Sequence, residues 1–427
     1  MMGRVGGRAA GTAPPGTADG PPVTEPDTPP ALTGASAGTG RTIAPAVLGA
    51  ALFLAALNLR PAVASVSPLL DTIRSADSLS HTAGGLLTTI PTLCMGAGAF
   101  LVPPIAARLG AERALTYAMV VIGVATAARI WGANTTVLLA TTLALGAGIA
   151  LGQPLLPGLV RTYFAGHSML VTALYSLGIT LGAAIPAAAS PAIHDLTNSW
   201  QAALAFWTVF AIAAIAVLVP IARRSRPGPR RGMTPPWRER RAWQISLFYG
   251  GASGLYWVVL AWLAPVYEDH GWSDSKAGLL LTLLSVAQAA ATIAVTVRAS
   301  RIDDRRPALI VSLLIMAVGM AGVALAPFSI PVVWALLLGL GNGLVFPVML
   351  VLPVDYGRDP THAARLAAMG FGVGYLLASL GPLLTGVLRD LTGSYAAPFA
   401  LYGGVSLLLI LVAVQFTPHP AAEATRS

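Results

Sequence analysis

Arg60 is the residue best placed to do chemistry. It is the only charged side chain in the apolar segment 43–70 and stands ten positions from its end. At about 1.5 Å per helical residue that is a depth of roughly 15 Å, near the midplane of a hydrocarbon core about 30 Å thick. An arginine there costs roughly 2.5–3.5 kcal/mol on insertion scales, and more by simulation, so it calls for a compensating role. One reading is a guanidinium that faces a watery cavity and meets an anionic or strongly polar solute. The other is a structural arginine held by helix-end carbonyls. Pro61 follows directly. Its ring removes a backbone donor and frees the carbonyl of Leu57, which predicts a kink beside the charge.

Few other residues compete. No Ser-His-Asp, Cys-His or metal-ligand constellation appears, so neither catalysis nor a cofactor is expected. Cys94 is the single cysteine, which excludes an intramolecular disulfide. His81, His167, His194, His270, His362 and His419 all fall at or beyond the ends of apolar segments. No acidic residue lies deep in one either, and arginine does not release its proton at working pH, so the sequence offers no ground for proton coupling. The pairs His194–Asp195 and Arg389–Asp390 lie at segment ends, where helix-end and turn roles are expected. GLGNG (339–343) and GFGVG (370–374) resemble nucleotide loops, but neither follows a strand. Close helix packing by small residues accounts for them.

The elements that must position Arg60 follow from composition. Of 427 residues 55% are hydrophobic and 10% charged, against about 25% charged in soluble chains. Apolar stretches long enough to span a bilayer recur. They fall at 43–70, 82–105, 114–131, 136–160, 168–193, 199–222, 243–267, 276–297, 308–327, 331–353, 364–388 and 395–416. The expected fold is an all-α integral membrane protein of twelve spans. Residues 1–41, rich in Gly, Pro, Ala and Thr and lacking an apolar h-region, are expected to be a disordered cytoplasmic tail and not a signal peptide.

The formal charge of +9 raises the question of nucleic acid, and its placement answers it. With the amino terminus inside, the cytoplasmic segments hold 21 of the 26 basic residues, including eight arginines between Arg223 and Arg241. The opposite side holds Arg74, Arg129, Lys276 and Arg389, and Arg60 lies between. The positive-inside rule accounts for this bias, with both termini cytoplasmic, lipid as the surrounding partner and no nucleic acid.

The chain repeats itself. DLTNSW from Asp195 returns as DLTGSY from Asp390. Gly178 and Pro186 match Gly374 and Pro382; Gly146, Gly148 and Pro154 match Gly339, Gly341 and Pro347. Ser80, Gly85, Leu86, Leu87 and Thr89 match Ser273, Gly278, Leu279, Leu280 and Thr282, and Pro68 and Asp71 match Pro265 and Glu268. The offset stays between 193 and 197 residues. Two six-helix halves of the same orientation follow, 42–222 and 243–418, joined by the basic linker 223–242 and followed by the tail 419–427.

The run LNLRPAVASVSPLL around Arg60 resembles the signature of the cyanate and nitroimidazole transporter branch of the major facilitator superfamily. AGGLLTTIPTLCMG, GIALGQPLLPGLV, AWQISLFYG, VVLAWLAPVY, SDSKAGLLLTLL and GVGYLLASLGPLL agree with it, over roughly residues 43–416. The resemblance implies a secondary transporter of a small polar or anionic solute in the cytoplasmic membrane, working as a monomer by alternating access, with its site at the interface of the halves. It also implies that the first, fourth, seventh and tenth spans line the cavity. Arg60 then faces its repeat mate Trp257, and Gln153, Tyr256, Asn342 and Asn58 are the other polar candidates on those spans. Asn58 is two positions from Arg60, so the two point to opposite sides of a helix, and a membrane Asn or Gln serves equally as interhelical glue.

Asp71 and Glu268, at equivalent ends of cavity spans, are candidate gate residues with Arg74 or Lys276 as partners, or solvated ends. The superfamily's latch between the second and third spans normally has an acidic residue where this chain has Ala107, while Arg108, Gly110 and Arg113 are retained; its counterpart RASRIDDRR keeps Asp303 and Asp304. The alternative function is a multidrug-type exporter of amphiphilic compounds, which would want a larger, more aromatic pocket. A receptor or enzyme would need an output domain or catalytic cluster that the sequence does not contain.

Overall fold

The computed structural model describes residues 45–77, 79–132, 134–164, 168–223, 225, 234–298 and 304–417. Both expected tails, much of the basic linker and Asp303 lie outside the described residues. Among the described residues twelve helices are long and apolar enough to cross a membrane. We label them α1 (Pro45–Ala76), α2 (His81–Leu109), α3 (Ala111–Trp131), α4 (Thr135–Tyr163), α5 (Leu174–Thr197), α6 (Trp200–Ala222), α7 (Arg240–Glu268), α8 (Asp274–Val295), α9 (Arg306–Leu325), α10 (Pro331–Asp355), α11 (Thr361–Thr392) and α12 (Ala396–Ala413). Helices fit the setting because each satisfies its own backbone within lipid. Side-chain caps start several of them, with Ser80 accepting from the Ala83 N–H and Asn134 from that of Val137.

The two halves are α1–α6 and α7–α12. The spans differ in how enclosed they are. In its most apolar stretch α7 is 83% buried and α6 only 33%, so α7 is central and α6 peripheral. Outward-facing leucines such as Leu101 and Leu411 are exposed on the bundle surface, where lipid takes the place of a protein neighbour.

The repeat becomes physical where the halves meet. Gly85 of α2 lies against the carbonyl of Pro382 on α11, and a Cβ there would come within 2.7 Å of that oxygen. Its repeat mate Gly278 of α8 lies in the same way on the carbonyl of Ala187 in α5. Each half thus offers one glycine-notched helix to a proline-containing helix of the other, a crossing that small residues permit.

The ends of the bundle are distinct. The Arg-poor end is where α1 and α7 finish. There the Ser67 hydroxyl donates to the Ala261 carbonyl at 3.0 Å, and Thr72 donates to Asp274 at 3.0 Å, both across the halves. Asp390 of α11 caps α2 by accepting from the His81 and Thr82 N–H groups at 3.0 and 2.8 Å. At the Arg-rich end α7 begins at Arg240, a turn earlier than its apolar run. Trp237, from the linker, stacks between Phe100 of α2 and Trp243 of α7, with centroids 5.9 and 6.1 Å away.

Candidate functional site

Prolines position the two polar side chains of the first half. The helix Pro45–Leu57 stops, and a new one begins at Pro61 with Arg60 as its N-cap residue. The predicted kink is therefore a break. Pro61 has no N–H with which to satisfy the Leu57 carbonyl. Gly182 of α5 sits directly against that carbonyl, leaving no room for a Cβ. The same device recurs in α4, where the helix from Thr135 ends at Gly152, Gln153 and Pro154 form the turn, and Leu155 restarts it. Their repeat mates Trp257 and Phe346 lie in unbroken helices.

Arg60 is only 6% exposed. Its guanidinium carbon lies 4.8 Å from the Trp257 ring centre and 5.9 Å from that of Tyr256. Nε and Nη1 are buried and have no hydrogen-bond partner. Among the described residues no carboxylate pairs with it. Cation–π contact with the two rings offsets the cost of the charge at this depth, but a ring face leaves the Nε and Nη1 hydrogens without an acceptor.

Arg129 shows what a structural arginine looks like here. Sequence placed it with the charges of the Arg-poor side, yet it is 1% exposed. Nη1 donates to the Ala62 carbonyl at 2.6 Å and Nη2 to Thr142 at 3.2 Å. The helix-end carbonyl role is thus filled by Arg129, through the carbonyl of Ala62 in the short helical segment Pro61–Ala64.

To the expected Tyr256 and Trp257 around Arg60, the fold adds groups that sequence reasoning passed over. Tyr249, Ser253, Tyr256 and Trp257 recur at helical spacing on one face of α7. Tyr249 lies 4.8 Å from the Phe371 ring and 5.6 Å from that of Tyr375, both on α11. Gln153 donates to the Tyr375 hydroxyl at 3.4 Å, joining α4 to the other half. Tyr249 and Tyr256 lie within the electrostatic reach of Arg60. The Tyr249 and Ser253 hydroxyls and the Gln153 Oε1 are buried and unpartnered, like the arginine nitrogens. A buried group left unsatisfied costs about 1–3 kcal/mol, so three such residues beside one unpartnered charge mark a place made for a polar ligand.

Other candidates lie elsewhere. Asn58 donates to the Met119 sulfur at 3.4 Å within its own half, pointing away from Arg60. Asn342 is buried in α10, between glycines 341 and 343 that abut α9 and α8. Asp71 pairs with Arg74 at 2.8 Å, while Lys276 lies over the Trp272 ring at 3.8 Å. Glu268 has both carboxylate oxygens buried without a partner. At the Arg-rich end Arg108 is exposed, Arg113 donates to the Ala222 carbonyl at 3.1 Å and Asp304 pairs with Arg306 at 2.8 Å. The last two contacts each stay within one half. Glu239, just before α7, pairs with His362 of α11 at 3.0 Å at the same end.

The sequence model of the Major Facilitator Superfamily matches residues 31–264 and 242–427. The chain belongs to the major facilitator superfamily. It is a multi-pass membrane protein with the twelve-span fold of that superfamily. It is 31% identical over 370 residues to the cyanate transport protein CynX of Escherichia coli (strain K12), a match covering 86% of this chain and 96% of that one. It is 35% identical over 378 residues to the 2-nitroimidazole transporter of the same strain, covering 86% and 94%. Among solved structures, a bacterial homologue of the human lysosomal transporter Spinster, in an inward-facing and unoccupied conformation, superposes with a TM-score of 0.66 at 17% identity, over 87% of this chain and 95% of that one.

Proposed function

We propose that this superfamily member is a secondary transporter that moves a small polar or anionic solute, cyanate- or nitroimidazole-like, across the cytoplasmic membrane. The observation that carries the reading is Arg60, a buried guanidinium with two unpartnered nitrogens and no counter-charge. A solute with acceptor atoms would take hydrogen bonds from Nε and Nη1, which point from different edges of the guanidinium, with the Tyr249 and Ser253 hydroxyls as further donors and Gln153 Oε1 as an acceptor. The site joins side chains of both halves. Rocking of 43–222 against 243–416 would expose it to each face in turn. The names of the two similar transporters support the solute class.

The test is thermal stabilisation of the purified protein by a panel of small anions and azoles, beside Arg60→Gln. A ligand at about 100 times its dissociation constant adds roughly 2.7 kcal/mol. Stabilisation by cyanate-like anions or azoles is expected in the wild type and absent from the variant. The ring cluster of Tyr249, Phe371 and Tyr375 supports a second reading, export of amphiphilic aromatic compounds. Equal stabilisation of both proteins by bulky drugs alone would favour it and set the anion site aside.

A further inference from the structure

We infer that Glu268 is a proton-binding site that latches the Arg-poor end, carrying a proton while the two halves meet there and releasing it when they part. Its two carboxylate oxygens are out of contact with solvent and accept no hydrogen bond. A charged carboxylate placed so would pay several kcal/mol without return.

The surroundings make the charged form worse. The electrostatic neighbours of Glu268 are Asp71, Asp269 and Asp274. Asp71 belongs to the first half and the others to the second, so closing this end drives like charges together across the interface. The two nearby arginines and Thr72 are turned to other carboxylates: Arg74 to Asp71 at 2.8 Å, Arg389 to Asp269 at 2.5 Å, and Thr72 to Asp274 at 3.0 Å. His81 of α2 is held by Asp390 at 2.8 Å, and one of its ring nitrogens lies within 4.8 Å of an oxygen of both Asp71 and Asp269. Further out, His194 and Asp195 of α5 act on Asp274. Tyr395 lies under Arg389, 5.0 Å from ring centre to guanidinium carbon. Glu268 has neither an ion-pair nor a hydrogen-bond partner among the described residues. A proton taken from the adjoining water forms an O–H on one of its oxygens as the end closes. That bond breaks, returning the proton to the same face, when separation admits water.

The inference does not depend on which solute Arg60 takes, and its test uses none. In the full chain with Cys94→Ala, spin labels at Ser75→Cys of α1 and at the exposed Leu391→Cys of α11 report the separation of the halves in nanodiscs. Between pH 5 and 9 the wild type should move from a short to a long distance, the open-to-closed ratio changing by up to about tenfold per pH unit, the limit for one linked proton. Glu268→Gln, which mimics the protonated side chain, should hold the short distance throughout. Glu268→Met, uncharged and of similar length, repeats the test should the amide disturb the fold. A wild type indifferent to pH, a response unchanged in both Glu268 variants, or a response lost in His81→Gln and kept in Glu268→Gln would each overturn the proposal.

Discussion

Two buried arginines define the chemistry at the scale of single residues, because their partners differ. Arg129 is tied to the Ala62 carbonyl and to Thr142, whereas Arg60 has two nitrogens with nothing to bind. Arg129→Gln should therefore lower stability by about 1–2 kcal/mol, the scale of interhelical polar contacts in membranes, and leave the response to solute intact. Arg60→Lys should do the reverse. It keeps the charge and the fold but loses the planar guanidinium, so solute affinity should fall by about tenfold or more while the melting temperature without solute stays put. Thermal melts with and without the stabilising anion separate the two; a swap of the two phenotypes would exchange their roles. Sequence alone could find Arg60, Gln153 and Trp257, since a polar group in an apolar run or a mate at the repeat offset stands out. It could not foresee the burial of Arg129, because a position at a span end says nothing of the helix carbonyl beside it. Tyr249, Ser253, Phe371 and Tyr375 were overlooked for a different reason. Aromatic and hydroxyl residues are unremarkable singly; only the spacing of Tyr249, Ser253 and Tyr256 along α7, and of Phe371 and Tyr375 along α11, signals common faces.

The elements carry these residues through their interruptions. Both polar contributors of the first half precede a proline at a helix break, and α1 survives its break because α5 closes around it. Gly178 lies against the Phe53 carbonyl and Gly182 against that of Leu57, the one Pro61 cannot satisfy. Gly182→Leu would drive a side chain into that carbonyl. Overpacking of this kind costs about 1–3 kcal/mol, and the displaced break would carry Arg60 with it. The expected outcome is a lower melting temperature together with lost anion stabilisation, whereas Gly404→Leu, on α12 with open space beside it, should change neither. If Gly182→Leu retained full anion stabilisation, the support of the break by α5 would be irrelevant to the site. Proline positions made the interruption in α1 legible beforehand. The partner that seals it was not, since pairing between helices over a hundred residues apart leaves no local signal.

At the scale of the whole molecule, the internal repeat and the charge asymmetry are two separate consequences of the same architecture. The repeat is legible in sequence as matched glycines and prolines, and it survives into space as Gly85 on Pro382 and Gly278 on Ala187. The asymmetry sharpens on folding. Of the four basic residues counted at the Arg-poor end, Arg129 is buried, Arg74 and Arg389 are paired with Asp71 and Asp269, and Lys276 lies over Trp272. Little free positive charge remains there, while the other end keeps its arginine-rich linker. The positive-inside rule weighs Lys and Arg near span ends, so the Arg-rich end should face the cytoplasm. In a Cys94→Ala background, a cysteine at Leu196 or Leu391, 84% and 78% exposed at the Arg-poor end, should react in intact cells with a membrane-impermeant maleimide. A cysteine at Tyr163, 42% exposed at the Arg-rich end, should react only after permeabilisation. The reverse pattern would invert the topology. It would also place Glu268 at the cytoplasmic face, so that its proton would be exchanged with the cytoplasm and not with the exterior.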